Sequence, residues 1–295
     1  MQPSVVVIGG GTGNFSVLSG LKDQEVDLTA VVAMSDSGGS SGRLRDELGQ
    51  LPPGDIRQCL VALAGDAEQG AMLRRLFTHR FSMGEGLEGH SVGNLLLAAL
   101  TEITGAHDRA IEAASRLLNI RGRVLPVTLT NSHLHAILSD DRELTEEALI
   151  DTRGTEEGVE IDHVFLSPPA YAFPPALEAI DQADLVVLAP GDLYTSLIPN
   201  LLVEGVCEAL RSTRARLVYV TNLMTKPGET DGFTAERFVS EVNRYIGHDS
   251  RIDAVVVNSA MFSERVRQRY QQLGARPVGY DIAAMKALVP WVVES

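Results

Sequence analysis

The chain has 295 residues, 44% hydrophobic and 22% charged, which suits one large α/β domain and argues against disorder. A formal net charge of -14 argues against a general nucleic-acid or anionic-membrane binder, since both rely on basic patches, yet it leaves room for one phosphate held by backbone N–H groups and a few arginines. Only Cys59 and Cys207 occur, with no metal-type spacing, and no apolar run approaches the roughly 18 residues of a membrane span, so the expectation is a cytoplasmic protein with neither disulfides nor a membrane anchor.

In chain order, the apolar runs Ser4–Ile8 and Leu28–Met34 predict strands buried on both faces, with a helix over Phe15–Lys22 between them. Helical patterns follow at Ile56–Ala64, Val92–Thr104 and Asp108–Leu118. The segment from Arg121 to Pro175 reads differently, with Val124–Leu129 and Leu134–Leu138 expected as a hairpin or antiparallel edge and a polar stretch after them, which suggests a smaller subdomain at 121–175 inside a single domain of 1–295. Strands at Leu185–Ala189, Leu217–Thr221 and Ala254–Asn258 then alternate with helices at Thr195–Leu210, Ala235–Ile246 and Ser263–Leu273. Alternating β and α units predict a Rossmann-like three-layer sandwich on a mostly parallel sheet.

The residues that carry chemistry cluster where strands turn into helices. Gly9-Gly10-Gly11-Thr12-Gly13-Asn14 follows the first strand, and glycines there let backbone amides approach a phosphate at a helix N-terminus. The second strand runs into Asp36-Ser37-Gly38-Gly39-Ser40-Ser41-Gly42-Arg43-Leu44-Arg45, which reads either as a flexible Ser/Gly loop or as a second anion cradle of amides, hydroxyls and guanidinium groups. Asp36 could accept bonds from a ribose, as in a dinucleotide-binding protein, or join Asp55 in holding Mg²⁺ over phosphate oxygens. Asp55 could instead be a helix N-cap, with Arg57 as a phosphate clamp. His90 and Asn94 flank Ser91 at another helix start, and Gly191-Asp192-Leu193-Tyr194-Thr195-Ser196 follows the strand at Leu185–Ala189. Asn222 and Thr225 follow the next strand, on the same expected rim, where open α/β sheets bind ligands. No P-loop signature and no nucleophile elbow are present, and His133 and His135 share a strand face without a further metal ligand nearby.

Taken together, Gly9-Gly10-Gly11-Thr12-Gly13, Gly38-Gly39-Ser40-Ser41-Gly42-Arg43, Pro53-Gly54-Asp55-Ile56-Arg57, Gly89-His90-Ser91 with Gly93-Asn94, and Leu193-Tyr194-Thr195-Ser196 resemble the YvcK/CofD-like family of gluconeogenesis factors over nearly the whole chain. The resemblance implies one of two activities. One is a UDP-sugar-binding regulator linked to cell-wall synthesis and cell shape on gluconeogenic carbon. The other is a phospholactate transferase that uses Mg²⁺ and a nucleotide-diphosphate donor. It further implies a nucleotide-sugar cleft lined by Gly10 to Asn14, Ser40, Ser41, Arg43 and the Tyr194–Ser196 turn, with Asn222, Thr225, Arg269 and Tyr270 as additional contacts. The small-molecule partner is then a nucleotide diphosphate, and a homo-oligomer is compatible. Four places depart from the family's pattern: Ser37 stands for Asp, Gln58 for Asn, Ala189 and Asp192 for Gly and Ser in one turn, and Lys226 for Gln.

Overall fold

The computed structural model describes residues 2–65, 68–247 and 251–295. β1 (Ser4–Gly9), α1 (Gly11–Leu21) and β2 (Asp27–Val32) open the chain. Five helices follow: α2 (Gly39–Leu48), α3 (Gly54–Leu63), α4 (Glu68–Thr78), α5 (Val92–Thr104) and α6 (His107–Leu118). The middle holds β3 (Arg123–Pro126), β4 (His133–Leu138), β5 (Glu143–Thr145), α7 (Glu147–Thr152) and β6 (Ile161–Ser167). Then come α8 (Pro174–Asp181), β7 (Leu185–Leu188), a π-helical turn at Leu193–Leu197, α9 (Ile198–Leu201), α10 (Val206–Ser212) and β8 (Arg216–Val220). The chain closes with α11 (Ala235–Ile246), β9 (Ala254–Val257), α12 (Glu264–Gln272), α13 (Ile282–Leu288) and β10 (Trp291–Glu294).

The main sheet has seven strands in the order β10-β9-β8-β7-β1-β2-β3, and every pairing in it is parallel. Parallel strands with helices on both faces must be apolar on both sides, which is why Val5 and Val7 face one core while Val6 and Ile8 face the other. The first core is closed by Leu18, Ile56, Leu60, Leu97 and Ile111, on α1, α3, α5 and α6. The second is closed by Ile180, Leu210, Phe238 and Met285, on α8, α10, α11 and α13, and by the inner face of a three-stranded antiparallel sheet ordered β5-β4-β6.

The order of the main sheet decides where a ligand can sit. From central β1 the chain moves outward one way to β2 and β3, then returns beside β1 as β7 and moves outward the other way. The loops after β1 and β7 therefore part from each other at a topological switch point, leaving a crevice at the carboxyl edge of the sheet. Among the described residues, no helix is long and apolar enough to cross a membrane.

Three sequence expectations need correction. Val124–Leu129 does not pair with Leu134–Leu138. β3 instead extends the main sheet in parallel beside β2, burying Val124 in the core, while β4 pairs antiparallel with β5 and β6. The helix expected over Thr195–Leu210 is broken into the π turn, α9 and α10, because Pro199 restarts a helix and Gly205 at φ 98 interrupts it. The Ser/Gly-rich segment after Asp36 is the first turn of α2, with Ser40 and Ser41 buried.

Candidate functional site

Six chain segments meet at the carboxyl edge around β1. The first turn of α1 leaves N–H groups without intrahelical partners, Gly10 being its extended N-cap with no capping side chain. A Cβ on Gly10 would overlap the Asp55 carboxylate, and one on Gly54 would overlap the carboxylate of Asp36. The two glycines thus let both acids press against helix N-termini. Asp55 is not an N-cap as its position suggested; Pro53 holds that place, and Asp55 lies in the first turn of α3, where it accepts the Gly11 N–H. Asp36 accepts the Gly38 N–H at 2.9 Å.

A third acid, unmarked by any sequence motif, joins them. Glu147, at the start of α7, accepts the Ser37 N–H at 3.2 Å, and the Ser37 hydroxyl accepts the Ala148 N–H at 2.9 Å. Burial, then the neighbouring Asp36, pushes the Asp55 carboxyl up to about 7. Burial followed by Asp36, and less so Asp151 and Asp55, pushes Glu147 up to about 8. These acids raise one another electrostatically, but among the described residues the trio whose carboxylate oxygens all come within 4.8 Å of one another is Asp151, Asp192 and Glu229, not this one.

On the β7 side, Asn222 clamps the turn, its Nδ2 donating to the Gly191 carbonyl at 2.6 Å and its Oδ1 accepting the Gly191 N–H at 3.4 Å. The buried Glu229 accepts the Tyr194 N–H at 3.3 Å and the Thr195 hydroxyl at 3.2 Å, so an acid from the β8 loop caps the π turn. Ser196 lies beside Gly10 and Gly11, and its hydroxyl makes no hydrogen bond among the described residues. Asp192, at the start of the turn, pairs with Lys226 at 3.0 Å. Two of the four departures from the family's pattern are therefore partners in space.

Several expected ligand contacts lie behind this rim. Ser40 bonds His90 Nδ1 at 3.0 Å, while Asn94 donates to Ser40 at 3.2 Å and to Ser41 at 3.4 Å. Arg57 Nε donates to Asn94 Oδ1 at 2.8 Å. These buried groups lock α2, α3 and α5 together. Arg43 reaches away to the Glu88 carbonyl at 2.8 Å. Asn14 is fully buried, donating to Cys59 Sγ at 3.4 Å, and Gly13 packs under the Pro190 carbonyl. Tyr194 points its hydroxyl into the protein, to Glu241 at 2.9 Å. Thr225 uses its hydroxyl to accept the Arg276 N–H at 3.0 Å. Thr12, by contrast, is exposed on the first turn of α1, next to Gly11, and Gly38 and Gly39 lie at the start of α2.

A cleft of about 410 Å³ opens beyond Asp192, bounded by Asp151, Thr225, Lys226 and Tyr270. Arg269, on the same helix as Tyr270, is exposed and makes no side-chain bond or ion pair among the described residues. A groove of about 500 Å³ between α6, β3 and α8 holds none of the rim residues and lies at the far edge of the sheet. Glu147, Asp151 and Glu229 escaped sequence reasoning because single acids in a polar stretch carry no pattern. The paired departures Asp192 and Lys226 were the available signal.

Residues 5–295 match the family described as 2-phospho-L-lactate transferase CofD. The chain is 44% identical over 288 residues to the gluconeogenesis factor of Bacillus subtilis, covering 97% of this chain and 88% of that protein. It is 45% identical to a relative from Nostoc sp. over 97% of its own length, but spans only 61% of that longer protein. A crystal structure of a Bacillus halodurans protein superposes with a TM-score of 0.94 at 44% identity, covering 100% of this chain and 93% of that one. Fold and sequence agree: the chain belongs to the CofD family.

Proposed function

We propose that this protein binds a nucleotide sugar, a UDP-sugar, in the crevice between the β1 and β7 loops, and acts as a cytoplasmic regulator of the gluconeogenesis-factor type tied to cell-wall synthesis. The observation that carries this reading is the switch point itself: the first-turn amides of α1 beyond Gly11, the exposed Thr12 and the free Ser196 hydroxyl converge where the sheet order reverses. Amides at a helix N-terminus suit diphosphate oxygens. The adjoining cleft, with carboxylates at Asp151 and Asp192, suits the hydroxyls of a sugar. Both cysteines are free thiols, in keeping with a reducing compartment.

A second reading, a phospholactate-type transferase, draws on the Asp36, Asp55 and Glu147 group. These residues would hold Mg²⁺, which when bound would neutralise diphosphate charge. In both readings the protein's own contribution is to fix the diphosphate: the Thr12 amide and the Ser196 hydroxyl orient it, while the Gly11 amide holds Asp55 and the part-buried Arg57–Asn94 pair keeps α3 and α5 in register. Calorimetric titration with UDP-N-acetylglucosamine and UDP-glucose, with and without Mg²⁺, tests the first reading, with NAD as a control. Micromolar affinity is expected, about -8 kcal/mol. Flat titrations with both sugars in both conditions, from folded protein, refute it.

A further inference from the structure

Asp151, Asp192 and Glu229 each place a carboxylate oxygen within 4.8 Å of the other two, the spacing of a single cation's ligands. They come from three separate segments, α7, the β7 loop and the β8 loop. Between them lies not a metal but a side chain of the same protein. Lys226 Nζ is 2.5 Å from Asp151, 3.0 Å from Asp192 and 3.9 Å from Glu229. We propose that these three acids form a cation seat filled by the chain's own Lys226, whose ammonium does at this rim what a divalent metal would do and binds an oxygen of a phosphate-bearing ligand.

An ammonium has three N–H donors. Two are used on Asp151 and Asp192, and Glu229 at 3.9 Å lies beyond hydrogen-bond range, so one donor is left over. The group is also accessible. The Lys226 side chain keeps 27% of its surface exposed and lines the open cleft of about 410 Å³. A purely structural pair would serve as well if sealed from the cleft. Here the tethered charge faces a cleft that Asp192, at the start of the turn after β7, also lines.

The proposal rests on the reading that a phosphate-bearing ligand enters the switch-point cleft, and two measurements separate the two ideas. The first needs no ligand. Lys226→Gln removes the ammonium and leaves the three carboxylates, so it should bind one more Mn²⁺ than the wild type by electron paramagnetic resonance. The added site should vanish in Lys226→Gln combined with Asp192→Asn. Equal Mn²⁺ stoichiometry in wild type and Lys226→Gln overturns the cation seat, whatever the protein binds. The second uses the wild-type chain, and it decides the matter should the variant not fold. Only Lys22, Lys226 and Lys286 are present, so three ammonium signals report on the whole protein in ¹⁵N-lysine spectra. Pyrophosphate should shift the Lys226 signal both with and without Mg²⁺ and leave Lys286 in place. A shift only with Mg²⁺, or none in either condition, overturns the phosphate contact. UDP-sugar binding that leaves Lys226 unmoved would keep the proposed function and reject this inference alone.

Discussion

Two groups of acids share one rim and solve the same electrostatic problem differently. Asp151, Asp192 and Glu229 surround an ammonium. Asp36, Asp55 and Glu147 surround no ammonium, with the Arg57 guanidinium a weaker offset at Asp55, and Asp55 is pushed up to about 7 and Glu147 to about 8. In the first group burial and then Asp192 push the buried Glu229 up to about 8 as well, against the pull of Lys226. Burying carboxylates is costly unless a cation or a proton compensates. One group carries its counter-ion in the sequence. The other has only protons and the nearby Arg57 to offset it, so a cation entering there would relieve its remaining charge.

The largest expected effect tests the group without an ammonium. A carboxyl raised in the fold keeps its proton to higher pH than in the unfolded chain, so folding takes up protons and stability falls as pH rises from about 4 to about 8. Asp55→Asn should therefore stabilise the protein at pH 8 in the absence of divalent ions by on the order of 3 kcal/mol, and hardly at pH 4. Thermal melts at both pH values measure this; equal shifts at both would show that the Asp55 charge is not the burden. Magnesium ions should raise the wild-type melting temperature at pH 8 and do little for Asp55→Asn.

Removing the resident cation is the next test. Lys226→Ala strands the fully buried Glu229 with two further acids and should cost about 2 kcal/mol, below the 3–5 kcal/mol of a sealed ion pair because Lys226 is part-exposed. Chemical denaturation of the two proteins checks it. A loss under about 0.5 kcal/mol would mean the seat is held together without its ammonium. The smallest effect belongs to Asp192, the more exposed partner. Asp192→Ser should cost no more than about 1 kcal/mol and should tighten pyrophosphate binding without Mg²⁺, since it frees a Lys226 donor and removes a charge that repels phosphate. Weaker binding would show that the Asp192 carboxylate itself touches the ligand.

Much of the fold was legible because burial on both faces leaves a plain mark. The five strands of continuous apolar residues all lie in the main sheet, and the helices at Val92–Thr104 and Ala235–Ile246 stand where their periodicity put them. β10 was not legible: Trp291–Glu294 is an exposed edge strand with an ordinary terminal sequence. The partner of Val124–Leu129 was not legible either, since a short apolar run reads alike in a hairpin and at the edge of a parallel sheet. At the rim, sequence indicated the glycines and the acids Asp36, Asp55 and Asp192. It could not tell that Ser40, His90 and Asn94 satisfy one another, because hydrogen bonds between α2 and α5 depend on tertiary packing.

The contrast between the two acid groups is open to one direct measurement: a crystal of the wild-type protein soaked with UDP and Mn²⁺, read at the manganese absorption edge. The expected map has an anomalous peak among Asp36, Asp55 and Glu147, diphosphate density between the β1 and β7 loops, and Lys226 still seated among Asp151, Asp192 and Glu229. A manganese peak in that second seat with Lys226 displaced, or diphosphate outside the switch-point crevice, would contradict it.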